Sequence, residues 1–215
     1  MRGKLFFEYS AMNAGKSTKL LQTNWSYNDN DKNVLLLKTS LDTRTKNTIS
    51  SRLGIEQECE LIDPEDNIRT KFFDKIKKDN IEVILVDEAQ FLTRKQVLEL
   101  RSMTIELNLI VTCYGLRTSF DGEVFEGSAV LLAVADKLIE NITYCKICSK
   151  KATMNLKLDN NGEVVLEDEN IIDPGFENKY LSVCYKHWYL ASNKKISINE
   201  LKKKERSRKR RKGDI

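Results

Sequence analysis

The sequence predicts an α/β protein, in which strands of a parallel sheet alternate with helices over residues 1–140 and a small cysteine-bearing segment follows. Three observations carry this reading. Short apolar runs alternate with longer amphipathic stretches. A loop of small residues ending in Gly15-Lys16-Ser17 comes directly after the first run. An acid pair, Asp87-Glu88, comes directly after the third.

Taken in order, Lys4–Tyr9 is short and rich in aromatics, which suits a buried strand. Lys16–Tyr27 reads as a helix and Asn33–Lys38, apolar from Val34 to Leu37, as a second strand. Residues 39–62 are polar and irregular. Asp63 and Pro64 open a helix that runs to Lys78, and Ile81–Val86 is a Val/Ile strand of the kind buried on both faces. Residues 93–106 follow as a helix, Asn108–Tyr114 as a fourth strand and Ser128–Ala135 as a short apolar helix. The alternation stops near Asn141, which divides the chain into a nucleotide-binding domain over 1–140, a metal-binding segment over 141–192 and a tail over 193–215.

Ser10-Ala11-Met12-Asn13-Ala14-Gly15-Lys16-Ser17 has the form of a P-loop with Ser10 in the first glycine position. Following a strand and opening a helix, it can turn backbone N–H groups and the positive helix end toward a triphosphate. Lys16 would bridge phosphates and Ser17 would sit on Mg²⁺. Asp87 ends an apolar strand at the sheet edge where ligands bind in such folds, and suits the Mg²⁺ shell. Glu88 is placed to act as a base on an acceptor hydroxyl or on a water. The expected fold is therefore a P-loop NTPase-type parallel sheet, RecA-like, and the expected chemistry is NTP-dependent phosphoryl transfer or hydrolysis. A chance Gly-Lys-Ser at a helix start and a solvated acid pair are the bland readings of each half taken alone.

Of five cysteines, Cys59 and Cys113 stand apart. The others fall as Cys145-Lys-Ile-Cys148 and, after residues 149–183, Cys184-Tyr-Lys-His187, which includes the one histidine of the chain. Two x₂-spaced pairs supply the four N/S donors of a tetrahedral zinc site, and four protein ligands make that site structural. A redox C-x-x-C beside an unrelated histidine is the competing reading.

Charge excludes a globally basic nucleic-acid-binding domain. Lys and Arg number 36 against 32 Asp and Glu, but nine of the basic residues lie between Lys202 and Lys212. Residues 1–201 then hold 27 basic and 30 acidic side chains, a balance of −3. The tail reads as a solvated, disordered extension, with weak electrostatic attachment to nucleic acid or anionic surfaces as the functional alternative. The longest apolar run, Ala129–Ala135, is far short of the roughly 18–20 residues that cross a bilayer. Met1–Ser10 is too short in apolar residues for a signal peptide, so a cytoplasmic location is expected, with no membrane partner.

These motifs together resemble a known family. Ala-Met-Asn-Ala-Gly-Lys-Ser (11–17), Val-Asp-Glu-Ala-Gln-Phe (86–91), Tyr-Gly-Leu-Arg-Thr-Ser-Phe (114–120), the Cys145/Cys148 pair and Tyr-Leu-Ser-Val-Cys-Tyr-Lys-His (180–187) are similar to the zinc-containing, cellular type of thymidine kinase, in order from Lys4 to Trp188. The resemblance implies transfer of the ATP γ-phosphate, with Mg²⁺, to the 5′-hydroxyl of thymidine or deoxyuridine, giving dTMP by salvage for DNA synthesis. It implies that Glu88 is the catalytic base and Asp87 the metal-associated acid. Met12, Phe91, Leu116, Phe120 and Phe125 would line the nucleoside pocket, with Tyr180 at the end of a lasso-like lid anchored by the zinc site. Arg44 in Asp42-Thr-Arg44 would approach the phosphates, with Arg52 as a second candidate. A homotetramer and feedback by dTTP are also implied.

Two features depart from the family pattern: Ser10 for a glycine, and Ile172-Asp-Pro-Gly-Phe-Glu-Asn-Lys-Tyr180 in place of a shorter Gly-Gly turn. Two other functions compete. One is an ATP-driven nucleic-acid motor, suggested by Asp87-Glu88-Ala89-Gln90, although the chain has room for one such domain where motors generally use two. The other is a non-catalytic zinc module that binds RNA through its tail.

Overall fold

The computed structural model describes residues 3–165 and 180–213. It divides into two compact units. The first comprises residues 1–10, 15–117 and 124–141, and the second residues 11–14, 118–123 and 142–215. Two short segments, 11–14 and 118–123, that precede Asn141 in the chain belong with the second unit.

In the first unit a six-stranded sheet has the order β5-β2-β6-β7-β1-β8. Its strands are β1 (Lys4–Ser10), β2 (Val34–Thr39), β5 (Glu60–Ile62), β6 (Val83–Asp87), β7 (Ile110–Leu116) and β8 (Lys137–Glu140), and every pairing is parallel. The helices are α1 (Lys16–Asp29), α2 (Ile68–Lys78), α3 (Arg94–Glu106) and α4 (Glu126–Val134). Strand β6 shows why the sheet is covered on both faces. Ile84 and Val86 join one core with Leu5, Phe7, Val111, Phe72 and Leu100, whereas Val83 and Leu85 join another with Leu20, Leu21, Leu36 and Tyr114. Successive side chains point to opposite faces, so a strand of continuous Val/Ile/Leu fills two cores.

Residues 39–62 contain more order than their composition predicts. A hairpin pairs β3 (Thr48–Ser50) with β4 (Glu56–Glu58), and β5 joins the sheet edge through the buried Ile62. Lys38 organises this segment. Its ammonium, almost fully buried, donates to the carbonyls of Thr45 at 2.5 Å and Thr48 at 3.1 Å, and to Thr45 Oγ1 at 2.8 Å. Helix α2 starts at Ile68 and not at Asp63, because Asn67 accepts from Thr70 N as its N-cap and Gln96 Nε2 holds the carbonyls of Asp63, Pro64 and Asp66. Helix α3 begins one residue after Thr93, which forms a capping box with Gln96.

The second unit contains the hairpin β9 (Thr143–Tyr144) with β10 (Lys151–Ala152), a three-stranded antiparallel sheet of order β12-β11-β13, and two helices. The strands are β11 (Met154–Leu158), β12 (Val164–Val165) and β13 (Tyr180–Val183), and the helices α5 (Tyr185–Ser192) and α6 (Ile198–Gly213). Ala11, Met154, Leu156, Val183, Ala191, Ile198 and Leu201 form its core. The segment expected as a disordered tail is thus helical from Ile198, since Ile198 and Leu201 are buried and anchor its first turns. Among the described residues, no helix is long and apolar enough to cross a membrane.

Candidate active site and metal centre

Strand β1 ends at Ser10 and Gly15 precedes α1 in the left-handed region, with φ +75°. No side chain caps α1, so the first-turn N–H groups carry no side-chain partner of the usual N-cap kind. Within the first unit, Lys16 Nζ donates to Ser10 Oγ at 3.1 Å, and Ser17 Oγ donates to Asp87 Oδ2 at 3.0 Å. The serine in the glycine position therefore supplies an acceptor for the Lys16 ammonium. Burial lowers the pKa of Lys16, with the charges of Glu88 and Asp87 pulling the other way and those of Arg44 and Arg52 adding to the decrease. Burial, followed by the neighbouring Glu88 charge, pushes the Asp87 carboxyl up to about 7. Asp87 and Glu88 are both buried, so this corner of the sheet favours added positive charge.

Glu88 sits in the left-handed region at φ +51°, at the head of a 3-10 turn over Ala89–Phe91. Two groups hold its carboxylate. Arg44 forms an ion pair with Oε1, and Gln90 Nε2 donates to Oε2 at 2.5 Å. Gln90 is itself fixed, because its Oε1 accepts from Leu116 N at 3.0 Å. Arg44 is gripped in turn by Asp42, with Nε at 2.7 Å from Oδ1 and Nη2 at 3.1 Å from Oδ2. Burial opposes the Arg44 charge, but Glu88 and Asp42 outweigh it and hold the guanidinium proton more firmly than usual.

The turn bearing Glu88 and Gln90 is packed tightly. A Cβ added to Gly127 of α4 would stand 2.6 Å from Leu92 O and 2.7 Å from Ala89 O, so only glycine lets the helix backbone lie against this turn. Gln90 and Asp42 escaped the sequence reading: amides and loop acids are common, and nothing in their spacing marks them as supports of Glu88. Of the two arginines considered, Arg44 touches Glu88 directly, whereas Arg52 lies exposed between β3 and β4.

The residues assigned to a nucleoside pocket fall in both units. In the first, Phe91 and Phe125 meet edge to face with centroids 5.6 Å apart, and Leu116 ends β7. In the second, the buried ammonium of Lys157 lies 5.6 Å from the Phe120 ring and 5.9 Å from the Tyr180 ring. Met12 is clamped there by its backbone: its N–H donates to Asn155 Oδ1 at 2.8 Å and its carbonyl accepts from Ser182 Oγ at 2.6 Å. Ala11, Asn13 and Ala14 share this segment, and the Asn13 carbonyl accepts from Thr143 Oγ1 at 3.3 Å.

Cys145, Cys148, Cys184 and His187 converge, with their ligand atoms all within 4.8 Å of one another. His187 Nδ1 lies 3.4 Å from Cys145 Sγ and 3.3 Å from Cys184 Sγ, and Cys148 Sγ lies 3.8 Å from Cys184 Sγ. Bonds of about 2.3 Å to sulfur and 2.0–2.1 Å to nitrogen in a tetrahedron require ligand separations of about 3.5–3.8 Å, so the cluster could hold a zinc ion. Local structure explains the convergence. Cys145 and Cys148 flank a turn closed by Ser149 N donating to Cys145 O at 2.9 Å, and Cys184 is the N-cap residue of α5, one turn before His187. Cys113, by contrast, is buried within β7, and burial raises both it and Cys59, which reaches about 11. The lasso residues Ile172–Lys179 lie outside the described residues.

The thymidine kinase family model matches residues 3–188. Among curated relatives, thymidine kinase of Shewanella oneidensis is 43% identical over 186 residues, covering 86% of this chain and 96% of its own. Those of Haemophilus influenzae, at 44%, and Pasteurella multocida, at 45%, cover 86% of this chain and 95% and 96% of their own.

Proposed function

The chain belongs to the thymidine kinase family, and from that premise we propose that it moves the γ-phosphate of ATP to the 5′-hydroxyl of thymidine, and of deoxyuridine, with Glu88 as the base. The observation that carries this reading is the fixed position of Glu88, held by Arg44 and Gln90 beside the Ser17–Asp87 pair. A base must be oriented before its proton affinity matters, and both carboxylate oxygens of Glu88 are oriented by fixed donors.

The N–H groups of the P-loop and of the first turn of α1 bind the phosphates, and Lys16 leaves Ser10 Oγ to contact them. Ser17 and Asp87, two hard oxygen donors 3.0 Å apart, would hold the Mg²⁺ that accompanies ATP. That ion would neutralise charge on the transferring phosphoryl group. Arg44, a planar cation that cannot lose its proton, spreads the same charge from the loop that Lys38 pins. Glu88 accepts the proton of the acceptor hydroxyl as the oxygen attacks phosphorus. By the resemblance Phe91, Leu116 and Phe125 of the first unit would contact the nucleoside, and Met12, Phe120 and Tyr180, assigned to the same role, belong to the second unit. The zinc ion, with four protein ligands, would be structural and would brace the strands leading to the lid.

A cytoplasmic salvage role supplying dTMP, a homotetramer and feedback by dTTP accompany this reading. Incubation with γ-labelled ATP and a panel of deoxynucleosides tests it. Label on thymidine and deoxyuridine is expected, and label on deoxycytidine or deoxyguanosine alone would refute the assigned acceptor.

A further inference from the structure

The single histidine of the chain is held from two sides. His187 Nδ1 faces Cys145 Sγ and Cys184 Sγ at 3.4 and 3.3 Å, whereas Nε2 faces Glu205 Oε1 at 3.4 Å. Glu205 belongs to α6, beyond residue 188 where the family match ends. Its placement follows from helix periodicity. Ile198, Leu201 and Glu205 are spaced by three and four residues and so share one face, the first two buried in the core of the second unit. Glu205 is also the one acid between Lys202 and Gly213, and its side chain is only 13% exposed. Lys186 Nζ at 3.2 Å and Arg208 Nη1 at 3.7 Å contact the same oxygen.

A neutral imidazole has one nitrogen that donates and one with a free lone pair, and the partner of the first decides which nitrogen is left for a metal. We propose that Glu205 is a positioning residue for the zinc site: it accepts from His187 Nε2–H, fixes the tautomer that leaves the Nδ1 lone pair toward the three thiolates, and so makes the basic C-terminal helix part of the metal centre. The inference rests on the zinc reading of the Cys₃His cluster. It gives the segment past residue 201 a structural task that its charge does not suggest. Lys186 and Arg208 neutralise the carboxylate, and the contact to His187 is made by the acid.

The test is competition for zinc between the purified protein and a colorimetric chelator, following both affinity and release rate for the wild type, E205A, E205Q and K204A. Lys204 is the neighbouring residue on the same helix, and it is exposed and pairs only with Glu200 in the described contacts. The carboxylate role predicts that E205A binds zinc about 10- to 100-fold more weakly, that E205Q, whose amide oxygen still accepts, falls between E205A and the wild type, and that K204A matches the wild type. Equal affinity in E205A and wild type, each holding one zinc ion, would overturn the inference while leaving the zinc reading intact, and equal weakening in K204A would overturn it as well. A wild-type protein carrying no zinc would overturn the zinc reading and this inference together.

Discussion

Ser17 Oγ donates to Asp87 Oδ2 across 3.0 Å, joining the first turn of α1 to the last residue of β6. Strand β7 lies between β6 and β1 in the sheet, so the bond brings together two motifs that are 70 residues apart in sequence. In the proposed mechanism this pair would share a cation, which would favour the negative charge of an Asp87 carboxyl that burial, and then the neighbouring Glu88 charge, push up to about 7.

Replacing Asp87 with Asn removes that charge while keeping the hydrogen-bonding shape. The expected result is a fall in kcat of about 10²-fold or more, with a higher Mg²⁺ concentration needed for half-maximal rate. Steady-state rates across a Mg²⁺ series check this, and an unchanged Mg²⁺ dependence would refute the metal-associated role.

Arg44 is gripped by Asp42 and reaches Glu88, so its contribution depends on geometry as well as charge. R44K keeps the charge and loses the planar fork, and it should lower kcat nearly as far as R44A, by about 10²–10³-fold, with thymidine affinity little changed. D42N, which frees the guanidinium, should cause a smaller loss in the same parameter.

Removing zinc, by chelation or by C184S, should loosen the second unit before the first. The parallel sheet has its own cores, whereas the second unit carries the Cys₃His cluster that could hold zinc, and a bound structural metal adds its binding free energy to folding. Calorimetric titration should show thymidine affinity lost while far-UV circular dichroism of the α/β unit persists. Equal nucleoside affinity with and without zinc would count against the lid.

Asp136 connects strand β1 to helix α3 in the first unit. Its Oδ2 accepts from Leu5 N at 2.8 Å, and Arg101 binds both oxygens at 2.7 and 3.1 Å. The Leu5 N–H, followed by Arg101, holds its carboxyl below the ordinary value in spite of partial burial. The folded protein therefore binds this proton less readily than the unfolded chain. The resulting stability is fully present above the unfolded pKa, near 3.9, and fades as pH falls through the lower folded value. D136N should cost about 1 kcal/mol at neutral pH, the pair being one-third exposed, and the difference from wild type should vanish in acid melts near pH 2. A constant difference across pH would refute the ionic part.

Much of this architecture is legible in the sequence because the signals are local. The Val/Ile run of β6, the Gly15-Lys16-Ser17 start of α1 and the paired cysteine spacings each carry their own physics, and α1, α3, β1 and β2 lie within a few residues of where periodicity puts them. What escaped depends on distant partners. Strand β5 is three residues long and is a strand only because Leu37–Thr39 pairs with it. Gln90 supports Glu88 only because Leu116 N fixes its other end. Helix α6 has the composition of a solvated tail, and two apolar residues, Ile198 and Leu201, decide otherwise.

The most direct test of the central claim, that Glu88 takes the proton of the acceptor hydroxyl, is single-turnover transfer of labelled γ-phosphate from ATP to thymidine by the wild type and by E88Q. The account predicts labelled dTMP from the wild type and a rate lower by about 10²–10⁴-fold in E88Q, with ATP and thymidine still bound and the fold intact. A rate in E88Q equal to that of the wild type would contradict it.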